Sequence, residues 1–180
     1  GLGVTPVTGV RLGAGYTWGP YLSSTHSATQ LDGRKWSSFE QRVGLVDLAA
    51  SYGYFELFAE AGVSEFDVPR MPKPVTGFAY FVEGKYTFSP RFFIAGRLER
   101  NDYPFIRPVS PTLWVARKTD FHNEELGLGY RFGASTLLKA SYRQDLWHVD
   151  ADNAAFVRPG GRAVALQLSQ RFDILEGRKP

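Results

Sequence analysis

Three histidines are the first residues to ask about chemistry: His26, His122 and His148, with Ser23, Ser24, Ser27, Asp120, Glu124 and Asp150 close to them in sequence. A hydrolase would need a nucleophile, a base and an orienting acid brought together. No spacing among these residues matches a triad or a metal motif. The chain has no Cys, which removes thiol nucleophiles, thiolate metal ligands and disulfides. A histidine in a polar connection is ordinarily a solvated side chain. The expectation is no catalytic residue, no metal and no cofactor.

Chemistry of another kind comes from charges that recur at every second position within apolar segments. They are Arg11, Arg42, Glu56, Glu60, Glu83, Lys85, Arg97, Glu99, Glu125, Arg131, Lys139, Arg143, Asp145 and Arg171. Glu40 and Asp47 join them in the same pattern, and the signs nearly cancel. A buried polar face needs such balance, because an unpaired buried charge costs several kcal/mol. The expectation is that these residues line an interior. Glycines at Gly13, Gly15, Gly44, Gly77, Gly127 and Gly129 are expected on the same face, leaving room for long side chains.

The elements that carry these residues are strands. Period-2 alternation marks about eight, at roughly 10–18, 38–52, 55–66, 76–88, 91–99, 121–132, 136–146 and 162–172. In the second, apolar positions change phase from Phe39, Val43 and Leu45 to Val46, Leu48 and Ala50, which predicts a bulge near Leu45. Short connections at Tyr52-Gly53-Tyr54, Ser89-Pro90 and Gly133-Ala134-Ser135 read as tight hairpins. The connections at about 19–37, 67–74, 100–120 and 147–161 are long and polar. An even count of strands would put both chain ends on the short-turn side.

The composition fits such a chain: 43% hydrophobic, 15% aromatic, 22% charged and 19 Gly in 180 residues, one domain's worth. No apolar run approaches the roughly 20 residues of a spanning helix. A negative mean hydropathy leaves spanning strands open, since only alternate residues of such a strand meet lipid. The net charge of +3 is small and its sources are scattered, so nucleic acid is not an expected partner. The chain opens Gly1-Leu2-Gly3 without Met and reads as a processed or truncated product.

Short turns on one side, long loops on the other and aromatics at strand ends together predict a single up-and-down antiparallel transmembrane β-barrel over residues 1–180, with short periplasmic turns and long external loops. Trp18, Tyr54, Phe88, Phe92, Tyr130, Phe132 and Phe172 are expected to form the aromatic girdle. The balanced charges are expected to fill the interior of this eight-stranded barrel as an ion-paired plug. Three further readings stay open. Alternatively, the same strands could belong to a pore-forming porin, with the charges lining a channel. A soluble lipocalin-like barrel would alternate equally well with its faces reversed. An enzyme comes last.

The segment Val164-Ala-Leu-Gln-Leu-Ser-Gln-Arg-Phe172, with Asp173 to Pro180 following, resembles the C-terminal signal of bacterial outer-membrane β-barrels. Phe55-Glu-Leu-Phe-Ala-Glu-Ala-Gly62 is similar to their hairpins. Leu126-Gly-Leu-Gly-Tyr-Arg-Phe132 with Leu137 to Tyr142 resembles the closing hairpin of larger porins. The resemblance implies an outer-membrane location, a structural or passive-transport role, and recognition of the last strand by the barrel-assembly machinery. It also implies contact with lipid and lipopolysaccharide. Arg34, Lys35, Arg70, Lys73, Arg117 and Lys118 read first as ordinary surface charge, although they could pair with lipopolysaccharide phosphates, and the aromatic, proline-rich stretch around Tyr103-Pro-Phe-Ile106 and Trp114 could fold into the barrel mouth or meet a protein partner.

Overall fold

The computed structural model describes residues 1–26, 31–117, 119–149 and 160–172. Among the described residues there are eleven strands: β1 Leu2–Val7, β2 Val10–Pro20, β3 Glu40–Tyr52, β4 Phe55–Phe66, β5 Val75–Ser89, β6 Phe92–Asp102, β7 Phe105–Ser110, β8 Leu113–Arg117, β9 Thr119–Arg131, β10 Thr136–Val149 and β11 Gly161–Gln170. One 3-10 turn, Trp36–Ser38, precedes β3. Nine strands form one antiparallel sheet in the order β1-β2-β3-β4-β5-β6-β9-β10-β11, and β7 and β8 pair as a separate hairpin. The protein is all-β and up-and-down, as the alternation predicts.

Turn chemistry sets the short connections. Gly9 (φ +86°) and Gly53 (φ +59°) lie in the two-residue turns closed by Val7↔Val10 and Tyr52↔Phe55. Both take the left-handed backbone that glycine adopts without a Cβ clash.

The strand count needs correction. The sheet has nine strands, not about eight. The additional one, β1, is short, carries Pro6 at its outer edge and has an irregular register between Val4 and Val7. The stretch 100–120, expected as loop, extends β6 to Asp102, starts β9 at Thr119 and holds the β7–β8 hairpin between them. An odd count also alters the ends: β1 runs toward the short turns and β11 ends there, so the chain enters and leaves on opposite sides.

The sheet is not closed. Seven alternating strands separate β1 from β11, so these two edges run in the same direction, and they do not pair. The short turns step downward across the sheet. Relative to the row Val10–Ala50–Leu57–Gly84–Gly96–Leu126–Tyr142–Val164, the second hairpin closes two residues lower at Tyr52↔Phe55. The third closes four lower at Ser89↔Phe92, and the fourth five lower at Arg131↔Leu137. At about 3.3 Å per residue and about 4.8 Å per strand, the strands lean roughly 30–35° from the normal to that line of turns.

Directly paired residues share a face, so the register sorts every side chain. Leu12, Leu48, Ala59, Val82 and Leu98 occupy one row of an apolar face; Arg11, Glu83, Arg97, Glu125 and Arg143 belong to the opposite, charged face. The charged face is the more enclosed. In β9, Asn123 and Gly129 are buried and Glu125, Gly127 and Arg131 half-buried, whereas Glu124, Leu126, Leu128 and Tyr130 are exposed. A conventional apolar core is nearly absent: the buried hydrophobics among the described residues are Leu31, Phe39, Val75 and Phe93.

The expected bulge at Leu45 does not exist. Pairing of β3 runs unbroken from Gln41↔Phe66 to Tyr52↔Phe55. Val43 and Leu45 therefore share the charged face with Asp47. Arg42, Glu40 and Gly44, expected on the charged face, stand on the apolar one, and Gln41 moves the other way. Apolar side chains on both faces of one strand produced the false phase change.

Candidate functional site

The charged face is assembled from cross-strand neighbours. Its middle row places Glu83, Arg97, Glu125 and Arg143 on the adjacent strands β5, β6, β9 and β10, so each charge faces its opposite. Such opposition stabilises an antiparallel pair by a few tenths of a kcal/mol to about 1 kcal/mol. Arg97 lies 3.5 Å from Glu83 and 3.3 Å from Glu99, with its guanidinium 4.2 Å over the Phe81 ring. Arg143 Nε meets Asp145 Oδ1 at 2.8 Å, and the buried Asn123 donates to the same oxygen at 2.7 Å. Lys85 Nζ meets Glu56 Oε1 at 2.7 Å across β5 and β4.

Glycine makes this packing feasible at two positions. The Asp47 carboxylate occupies the space a Cβ at Gly13 would need, and from there it lies 3.6 Å from Arg11. The Phe93 ring fills the corresponding space over Gly129, with Lys85 and Arg131 stacked 5.4 and 5.6 Å from its centre. A cavity of about 450 Å³ opens on this face among Lys85, Phe93, Arg97, Glu125, Arg131 and Lys139.

Of the fourteen charges assigned to the interior, the register places thirteen on this one face. That count includes Arg171, which continues the β11 alternation past Gln170 and whose backbone N–H donates to Ser135 O. Asp47 belongs there as well. Arg42 does not. Its guanidinium bonds Glu65 Oε1 at 3.1 Å and approaches Glu40 at 3.8 Å on the opposite face.

Arg42 belongs to a feature that alternation alone did not reveal. On the long-loop side, the apolar face ends in a belt of paired charges. Trp18 Nε1 donates to Glu40 Oε2 at 2.7 Å. Arg100 bonds Asp120 at 2.7 Å and Asp102 at 3.3 Å, and His122 Nε2 lies 2.9 Å from Asp120. Each of these is two or more residues beyond the last aliphatic side chain of that face on its own strand. On the short-turn side the same face ends in aromatics: Tyr86, Phe88 and Phe92 in successive ring contact at 5.0 and 5.7 Å, and Tyr130 with Phe132 at 4.8 Å. Tyr54 and Phe172 are exposed beside them, and Trp18 stands at the other end.

The loops fold onto one another. Trp114 N–H donates to Arg70 O at 3.0 Å, and the Arg70 guanidinium lies over the Trp114 ring at 5.6 Å. Tyr21 donates its hydroxyl to Asp67 O at 2.8 Å and meets the Phe66 ring edge-on. Burial, with the Asp67 charge, pushes the Tyr21 pKa up. The Tyr103 ring covers Gly77 at the mouth of the charged face, beside a cavity of about 840 Å³ lined in part by Pro74, Thr76 and Ala116. Arg34 lies 4.1 Å over Phe39, while Lys35 and Lys73 are exposed.

The histidines are not drawn together. His26 contacts Ser23 O within one loop, and His122 is on β9. Ser27, Lys118, Asp150 and the His148 side chain lie outside the described residues. Among the described residues no group of three His, Asp or Glu side chains could hold a metal ion. Set against protein-family models, curated proteins and solved structures, the chain matches none.

Proposed function

We propose that this sheet is part of the wall of a transmembrane β-barrel in a bacterial outer membrane, with its apolar face against lipid and its charged face toward a water-filled lumen that passes small solutes. One observation carries the reading: a continuous apolar face stays exposed, with Val46 57%, Leu98 57%, Leu126 55% and Leu166 76% accessible. A protein in water rarely leaves a contiguous apolar surface of this extent uncovered. A soluble barrel would turn those same residues inward, yet it is the charged face that is enclosed.

Other features agree. The main-sheet strands from β2 to β11 have 10 to 15 residues, where a tilted span needs about 9–11. The lean of roughly 30–35° approaches the 35–45° of known membrane barrels. Aromatics at one end of the apolar band and paired charges at the other suit two interfaces.

The channel is preferred over an ion-paired plug. Nine unclosed strands do not form a small filled barrel, and the interior pairs keep considerable solvent access, 64% and 37% for Arg11 and Asp47. Closure calls for more strands. Because β1 and β11 run the same way, an all-antiparallel barrel adds an odd number between them.

The test is extraction and folding. The protein is expected to require detergent, to insert into lipid vesicles, and to migrate differently on gels before and after heating. Monodisperse solubility in plain buffer at high concentration sinks the reading.

A further inference from the structure

The interior charges balance in number, seven bases against seven acids, but they are sorted along the strands. In β5, Glu83 is nearer the long loops and Lys85 nearer the short turns. The order repeats in β6 (Glu99, then Arg97), in β9 (Glu125, then Arg131) and in β10 (Asp145, then Arg143 and Lys139). The first row on the loop side of the middle row reads Gly13, Asp47, Glu60, Phe81, Glu99, Asn123, Asp145. It contains four acids and no base. Beyond the alternating middle row, the turn side carries Lys85, Lys139, Arg131 and Arg171 against Glu56 alone.

This segregation has a stability cost that ion pairing does not explain. Asp47 and Glu60 are direct cross-strand partners, and like charges in that relation are destabilising. Glu60, Glu125, Arg131 and Lys139 also have no ion-pair partner within 4 Å among the described residues, and of these Glu60 stands toward the loops while Arg131 and Lys139 stand toward the turns.

We propose that the lumen is electrically polarised along its axis, with a cation-collecting acidic station under the loops and an anion-collecting basic station above the short turns. The proposal rests on the barrel reading of the charged face. Both kinds of mobile ion then accumulate in the pore under one polarity of voltage and are depleted under the other, so the pore rectifies salt current. The effect depends on unscreened fixed charge. It is large where the Debye length, about 10 Å at 0.1 M salt, reaches across the lumen, and it fades near 1 M, where that length is about 3 Å.

The experiment is single-channel recording of the full-length protein in planar bilayers in potassium chloride. At 0.1 M the currents at opposite voltages of equal size should differ by about twofold or more, approaching equality at 1 M. Glu60→Gln with Lys139→Gln should lower the ratio at 0.1 M, and Glu60→Lys with Lys139→Glu should lower it further. Open channels with symmetric currents in 0.1 M salt, or a ratio these variants leave unchanged, overturn the polarised lumen while leaving the membrane barrel standing. Membrane insertion shown by heat-modifiable migration but without conductance also overturns it. A protein that does not insert at all removes the barrel reading itself.

Discussion

The ring of Phe93 on β6 occupies the position where a side chain on Gly129 of β9 would begin, and these two residues are direct cross-strand partners. Phe93 is 7% exposed, one of the few buried hydrophobics in the sheet, and it forms the floor beneath the Lys85 and Arg131 cations. Gly129→Val should push the ring out of place and destabilise the fold by about 1–3 kcal/mol. Adding Phe93→Ala should recover part of that loss, since the intruding group is removed. Urea unfolding of vesicle-inserted protein, followed by tryptophan fluorescence, measures both. Equal stability of Gly129→Val and the parent would contradict the packing.

Face assignment has a paired test on neighbouring residues of one edge strand. Leu166 and Ala165 are consecutive in β11 and point to opposite faces. Leu166→Arg, and Leu128→Arg on β9, should each hinder folding into bilayers by about 2–4 kcal/mol if those sites lie near mid-membrane. Ala165→Arg should fold with far less penalty, because it enters the charged face. Folding titrations in vesicles give the comparison, and equal penalties at 165 and 166 would refute the orientation.

The Lys85–Glu56 contact is short, but the side chains remain 23% and 39% exposed. Lys85→Met should therefore cost only about 1 kcal/mol or less, with the double variant Lys85→Met/Glu56→Gln near neutral. A double-mutant cycle at low and high salt checks this. A coupling well above 1 kcal/mol would mean that the lumen is drier than proposed.

Alkaline stability reports on the loops. The Tyr21 hydroxyl is held protonated by burial and the nearby Asp67 charge, so its folded pKa lies above the ordinary 10.0. Above that pH the unfolded chain binds fewer protons than the folded one, and stability falls as pH rises. Tyr21→Phe should lower stability at neutral pH by about 1 kcal/mol through loss of the bond to Asp67 O. It should also flatten the alkaline decline. A decline of unchanged slope in the variant would assign it to other groups.

Much of the sheet is legible in the amino-acid sequence. Alternation located β2 to β6 and β9 to β11 within a few residues, because a half-exposed strand writes its two faces directly into the chain. Pro6 hid β1, and Pro104, Pro108 and Pro111 made the β7–β8 hairpin read as loop. Arg42 went to the wrong face because Val43 and Leu45, apolar residues on the charged side, mimicked a change of phase. Only the pairing of Arg42 with Glu65, twenty-three residues away, resolves it.

Residue order alone thus determined that this chain makes amphipathic strands with short turns at one end and polar loops at the other, since those properties are local. Which residues stand side by side, that β1 and β11 remain open and parallel, and that acids gather under the loops while bases gather by the turns were decided by tertiary structure. The reason is that register is a relation between distant strands: each strand specifies its own alternation, but only hydrogen bonding to its neighbours sets how far it slides.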